Sequence, residues 1–249
     1  VQYGVEYTLT IKDFPINANQ VKIQLVEGAL VDKSNNKSKA TEFLLYNTLV
    51  AEPNTITETG PFLGEIPPTN KTAIARQDIE KIVFVNSTKA STNTGVQNVW
   101  DVSSQRDSSI LAWYSETSAP YTVYIGSNDD IYGNVNSQFL FAYIGYSEAC
   151  TSTTAVENLE LLHTINVTKM NNMFSNFGYR KMESLVLPDN FDTRNVTNMS
   201  NMFENCGYTL MSEFKLGNNF DTSNVTNMFK MFVSTGFTKM DGLNLGGKF

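Results

Sequence analysis

With 249 residues, 41% of them hydrophobic and 12% aromatic, the chain can build one large core or two ordinary ones. Charge is sparse at 17% and nets to −7, with no basic cluster, which argues against nucleic acid or an anionic membrane surface as a partner. One histidine and two cysteines cannot fill the four positions of a His/Cys zinc site.

Residues 1–50 open the chain with alternating apolar positions, in VEYTLTI at Val5, Tyr7, Leu9 and Ile11 and in VKIQL at Val21, Ile23 and Leu25. Period-two alternation of this kind predicts antiparallel strands with one buried face. The start at Val1 suggests a processed or truncated amino terminus. Residues 51–74 hold four of the seven prolines, which remove backbone donors, so a linker and domain boundary are expected there. No apolar run in the chain is long enough to span a bilayer as a helix.

Residues 75–161 are expected to cap a repeat array. SQFLFAYIGY (137–146) carries Phe141, Gly145 and Tyr146, a degenerate first copy of a pattern that then recurs. Trp100 and Trp113 are read as apolar covers for this end, since terminal rungs of a repeat array are atypical. SNDDIYGN (127–134) lacks the alternate ligands and closing glutamate of a calcium loop and is read as a hairpin turn.

From residue 162 onward the chain repeats, in units 162–190, 191–219 and 220–248. Phe174, Phe203 and Phe232 lie 29 residues apart, and the same offset aligns Gly178, Gly207 and Gly236. It also aligns Tyr179, Tyr208 and Phe237, then Met182, Met211 and Met240. A period of this length marks an array whose units share one core. Val196, Met199, Met202 and Phe203 have helical spacing, so each unit is expected to contain a short helix, with Thr193 or Asn195 capping its first turn. The glycine is expected to be left-handed, and the alternating Leu185/Leu187, Phe214/Leu216 and Leu243/Leu245 predict a short strand after it. The fold class expected is α+β, a leucine-rich-repeat-like solenoid with an amino-terminal cap.

NVTNMSNMF after Phe191-Asp192-Thr193 resembles the BspA-like leucine-rich surface repeats, also seen in mycoplasma lipoproteins, and residues 1–50 resemble part of a bacterial immunoglobulin-like module of antiparallel strands. Leu162-His163, where that family has Phe-Asp, and Phe229 depart from its pattern. The resemblance implies a secreted or wall-attached bacterial protein that adheres to host or matrix macromolecules or to other surface proteins. No closing cap follows in LNLGGKF (243–249), so the array is expected to continue beyond residue 249. The alternative is a structural spacer or subunit of an extracellular assembly without its own ligand. No enzymatic activity, catalytic residue, cofactor or metal is expected, and His163 is read as a loop residue. Val186, Lys215 and Asn244, which vary beside fixed leucines, are the candidate macromolecule-binding positions. Cys150 and Cys206 lie two rungs apart, beyond the reach of a disulfide without a long loop excursion. Asn-x-Ser/Thr at Asn166, Asn195 and Asn224 recurs with the repeat, and capping explains it without glycans.

Overall fold

The computed structural model describes residues 20–25, 37, 41–46, 74–96, 98–104, 108–245 and 249, and the chain divides into two units, Val1–Asn47 and Thr48–Phe249. In the first, β1 (Gln20–Leu25) pairs antiparallel with β2 (Thr41–Tyr46), Ile23 opposite Phe43. The strand expected over VEYTLTI and the linker at 51–73 lie outside the described residues. Two paired strands are not a sandwich, and an immunoglobulin-like module is not what the described residues show.

The second unit opens with a five-stranded mixed sheet in the order β4-β5-β6-β3-β8. Its strands are β3 (Ile79–Val85), β4 (Asn98–Asp101), β5 (Ile110–Tyr114), β6 (Tyr121–Ser127) and β8 (Val156–Glu157). β4, β5 and β6 run antiparallel, while β3 is parallel to both β6 and β8. Alternation sorts the side chains. Ile82, Phe84, Trp100, Ala112, Val123 and Ile125 join the main core, whereas Trp113 and Tyr124 stack on each other at 5.7 Å outside that cluster. Trp100 covers the core as expected; Trp113 does not. The turn at 127–130 is no hairpin either, because β7 (Ile131–Tyr132) pairs in parallel with β9 (Leu162–His163) instead of returning to β6.

Beyond the sheet, the repeats stack one on the next, and parallel bridges join Asn136, Lys169, Asn198 and Asn227. Val167, Met170, Met173 and Phe174 are fully buried, as are their counterparts Val196, Met199, Met202 and Phe203. The rings of Phe174, Phe203 and Phe232 lie parallel at 5.4 Å steps, and Phe141 continues the column toward the sheet.

The expected helices are absent. No α-helix occurs among the described residues, and the longest helical piece is the four-residue 3-10 turn Lys89–Thr92. The fold is β-rich, not an α+β leucine-rich-repeat-like solenoid. Over 193–206 the local bonds close three residues back, Val196 N–H to Thr193, Met202 to Met199 and Cys206 to Phe203. Asn201 and Asn205 adopt φ of 54° and 57°, which no right-handed helix tolerates. The alternate amides of Met199, Asn201, Phe203 and Asn205 bond across to the next repeat at 2.8 Å. A chain of tight turns therefore reproduces the i, i+3, i+6, i+7 burial of a helix while its backbone bonds run between repeats.

The proposed caps are consequently rung ties. Thr193 Oγ1 donates to the Asp221 carbonyl at 2.8 Å and accepts the Asp221 amide at 2.7 Å. Asn195 Nδ2 donates back to Ile165 at 2.8 Å, and Asn224 repeats this toward Arg194. The strands do form in two units, β10 (Ser184–Val186) parallel to β11 (Glu213–Lys215). Among the described residues none forms over 242–245.

Candidate interaction surface

Parallel pairing of β10 and β11 sets Val186 directly beside Lys215, and both are exposed. Lys215 Nζ reaches back along its own strand to Glu213 at 2.5 Å, so its charge is partly matched locally. Asn244 is exposed too, but lies outside any strand and does not extend the pairing. Two of the three candidate positions thus share one patch.

A second surface feature is longer. The residue after each left-handed glycine is aromatic: Tyr146, Tyr179, Tyr208 and Phe237 follow Gly145, Gly178, Gly207 and Gly236, whose φ values run from 56° to 72°. A Cβ at Gly207 would overlap the Met211 Cβ, so the methionine four residues on occupies the space the glycine leaves. The glycine turns the backbone and throws the next ring outward. Rungs in register then line up these rings: Tyr146 lies tilted at 5.1 Å from Tyr179, which stacks on Tyr208 at 4.8 Å, and Tyr208 stacks on Phe237 at 5.2 Å. The three tyrosines are half-buried and Phe237 is 67% exposed. The Arg180 guanidinium lies 5.3 Å above the Tyr179 ring and pairs with Glu148 at 3.1 Å. The alignment of these aromatics was visible in the sequence; their contact along the stack was not.

Cavities also mark the surface of the described residues. One of about 560 Å³ lies on the outer face of the five-stranded sheet against Trp113 and Tyr124, with Ser87, Lys89 and Asn93 among its walls. Gly126 is required beneath it, since a Cβ there would come within 2.7 Å of the Trp113 ring. A smaller cavity of about 150 Å³ includes Asp130 and His163, with Nε2 of the histidine 3.9 Å from Oδ1 of the aspartate. His163 also stacks on Tyr132. A polar cavity of about 260 Å³ lies at Asp192, Arg194, Asn219 and Asp221, with Arg194 held to Asp192 at 2.5 Å.

Cys150 and Cys206 are both free and buried. Burial, reinforced by nearby Glu80, pushes the Cys150 thiol up to about 11, and burial alone pushes Cys206 higher still. Neutral buried thiols are poor nucleophiles. No group of His, Cys, Asp and Glu among the described residues is arranged to hold a metal, and no helix among them is long and apolar enough to cross a membrane.

Residues 145–242 match a family model described as "Mycoplasma protein of unknown function, DUF285", which covers the first two repeats, most of the third and the end of the degenerate copy before them. Neither a curated protein nor a solved structure matches the chain.

Proposed function

We propose that this chain is a non-enzymatic binding module of a bacterial cell-surface or secreted protein, contacting host or extracellular-matrix macromolecules through the side of its repeat stack. The observation that carries the reading is the aromatic stripe Tyr146–Tyr179–Tyr208–Phe237, a continuous line of rings with an arginine beside it. Tyrosine and arginine concentrate binding energy at protein interfaces because they bury large rigid area while keeping a polar end. Stacked repeats suit extended partners, since each unit adds a similar increment of surface. The exposed Val186–Lys215 patch supplies a second set of contacts. The partner class is protein rather than nucleic acid, in keeping with the acidic net charge of −7.

The test is binding of the full chain to an immobilised panel of matrix and host-surface proteins, followed by Tyr179→Ala and Tyr208→Ala. Saturable binding weakened by about 2 kcal/mol for the double variant, with the circular-dichroism spectrum kept, supports the reading. Binding to nothing on the panel, with ordered self-packing instead, returns the structural-spacer alternative.

A further inference from the structure

Two neighbouring strands present an aromatic pair on the side of the sheet away from the core. Trp113 of β5 stands opposite Tyr124 of β6, and their rings stack at 5.7 Å, 13° from parallel. Gly126 makes room for what covers them: a Cβ there would lie 2.5 Å from the Ser87 carbonyl and 2.7 Å from the Trp113 ring. The chain leaving β3 therefore runs close over the sheet, through the short turn Lys89–Thr92. That segment is tied down. The Thr88 amide donates to Asn128 Oδ1 at 3.2 Å, and Asn128 Nδ2 donates to Thr88 Oγ1 at 3.2 Å. The Ser91 hydroxyl, 5% exposed, donates to the Thr88 carbonyl at 2.7 Å. Walls fixed before a ligand arrives spare it the cost of ordering them.

The cavity between this segment and the sheet, about 560 Å³, falls in the range that holds small molecules, about 300–1,000 Å³. Its two sides differ. Val85, Val96, Trp113 and Tyr124 supply an apolar floor, with Trp113 buried. Lys89, Asn93, Thr94 and Ser115 are exposed and bring one ammonium, one amide and two hydroxyls. Lys89 is the one charged residue among the described walls, and no carboxylate of a described residue pairs with it. In a chain of net charge −7, a cavity with a cation and no acid is selective for anions.

We propose that this cavity binds a carboxylated monosaccharide, a uronic acid or a sugar of the same chemistry. A sugar ring has an apolar C–H face and a polar edge, the same division that the walls show. Its C–H face covers the aromatic floor, its hydroxyls meet Asn93, Thr94 and Ser115, and its carboxylate meets Lys89. A neutral sugar would take water from the ammonium and give no partner in return. A phosphate or nucleotide is better served by an arginine fork, and no arginine lines the cavity. A wholly apolar ligand would strip water from the amide and hydroxyls without replacing it. The site lies on the sheet, and the reading of the aromatic stripe stands or falls without it.

The chain has two tryptophans, Trp100 in the core and Trp113 in the cavity floor, so indole fluorescence reports on the site. The full chain is titrated with sodium glucuronate and, in parallel, with glucose, sodium acetate and inorganic phosphate. NMR shifts of the Thr94 and Ser115 amides give the same isotherm without altering the floor. Saturable binding of glucuronate at millimolar concentration, about fivefold or more weaker in the exposed-site variant Lys89→Gln and for glucose, supports the proposal. An unchanged thermal midpoint shows that Lys89→Gln keeps the fold. The proposal is overturned if glucuronate gives no saturable change, or if Lys89→Gln or glucose matches the unmodified pair. It is equally overturned if acetate or phosphate binds as tightly as glucuronate, which would leave an adventitious anion only.

Discussion

Gly207 sits at φ +57°, and Gly95 at φ +95°, yet their surroundings are opposite: a Cβ at Gly207 would overlap Met211, while at Gly95 it meets nothing within 4 Å. Left-handed backbone alone costs an L-residue about 1–2 kcal/mol. Gly207→Ala adds an overlap with buried methionine, so its loss should exceed that of Gly95→Ala by about 1–3 kcal/mol. Denaturant midpoints at unchanged slope would measure the difference, and equal losses would mean Met211 yields freely. The two thiols make a separate prediction. Their folded pKa values lie above the ordinary value of 9.0, so the folded protein keeps protons that the unfolded chain releases. Stability linked to them is fully present below pH 9 and is lost as pH rises, for Cys150 through about 11. Thermal unfolding should fall across that window, and fall less in a Cys150→Ala, Cys206→Ala double variant. A thiol reagent at pH 8 should label neither cysteine until the protein unfolds.

At the scale of the element, the repeat was legible and its backbone was not. Identical side chains at 29-residue spacing can only stack, so the buried Met–Phe wall and the left-handed glycines followed directly from Phe203, Met202 and Gly207. The helix did not follow, because burial every third or fourth residue is shared by a helix and by successive three-residue turns. Asn172 and Asn176, then Asn201 and Asn205, carried the missing signal: asparagine four residues apart is the residue type, after glycine, that best accepts left-handed φ. The stripe was half legible, since its aromatics aligned, and the Trp113 cavity was not, since sequence alternation shows two faces without saying which is covered. Stacked rungs support their neighbours. Met202→Ala, at a fully buried site, should cost about 2–5 kcal/mol. Amide exchange should speed up around Phe174 and Met231, the adjoining rungs, and leave β1 and β2 unchanged. Equal acceleration in β1 and β2 would show a cooperativity that the two-unit division of the chain does not provide for.

Across the second unit, an aromatic flank turns a repeated sequence into repeated surface. The outer sheet face, the Asp130–His163 cavity and the Asp192–Arg194 cavity are local features, whereas the stripe runs the length of the stack from Tyr146 to Phe237. A partner reading several rings at once would be lost by steps as rings are removed. The most direct test compares the full chain with Tyr179→Ala, Tyr208→Ala and their combination, by surface plasmon resonance against a matrix or host-surface protein that the unmodified chain binds. Binding through the stripe predicts progressive weakening, about tenfold or more in the double variant, while the amides of Met199 and Phe203 keep their protection. Undiminished binding by the double variant would contradict it.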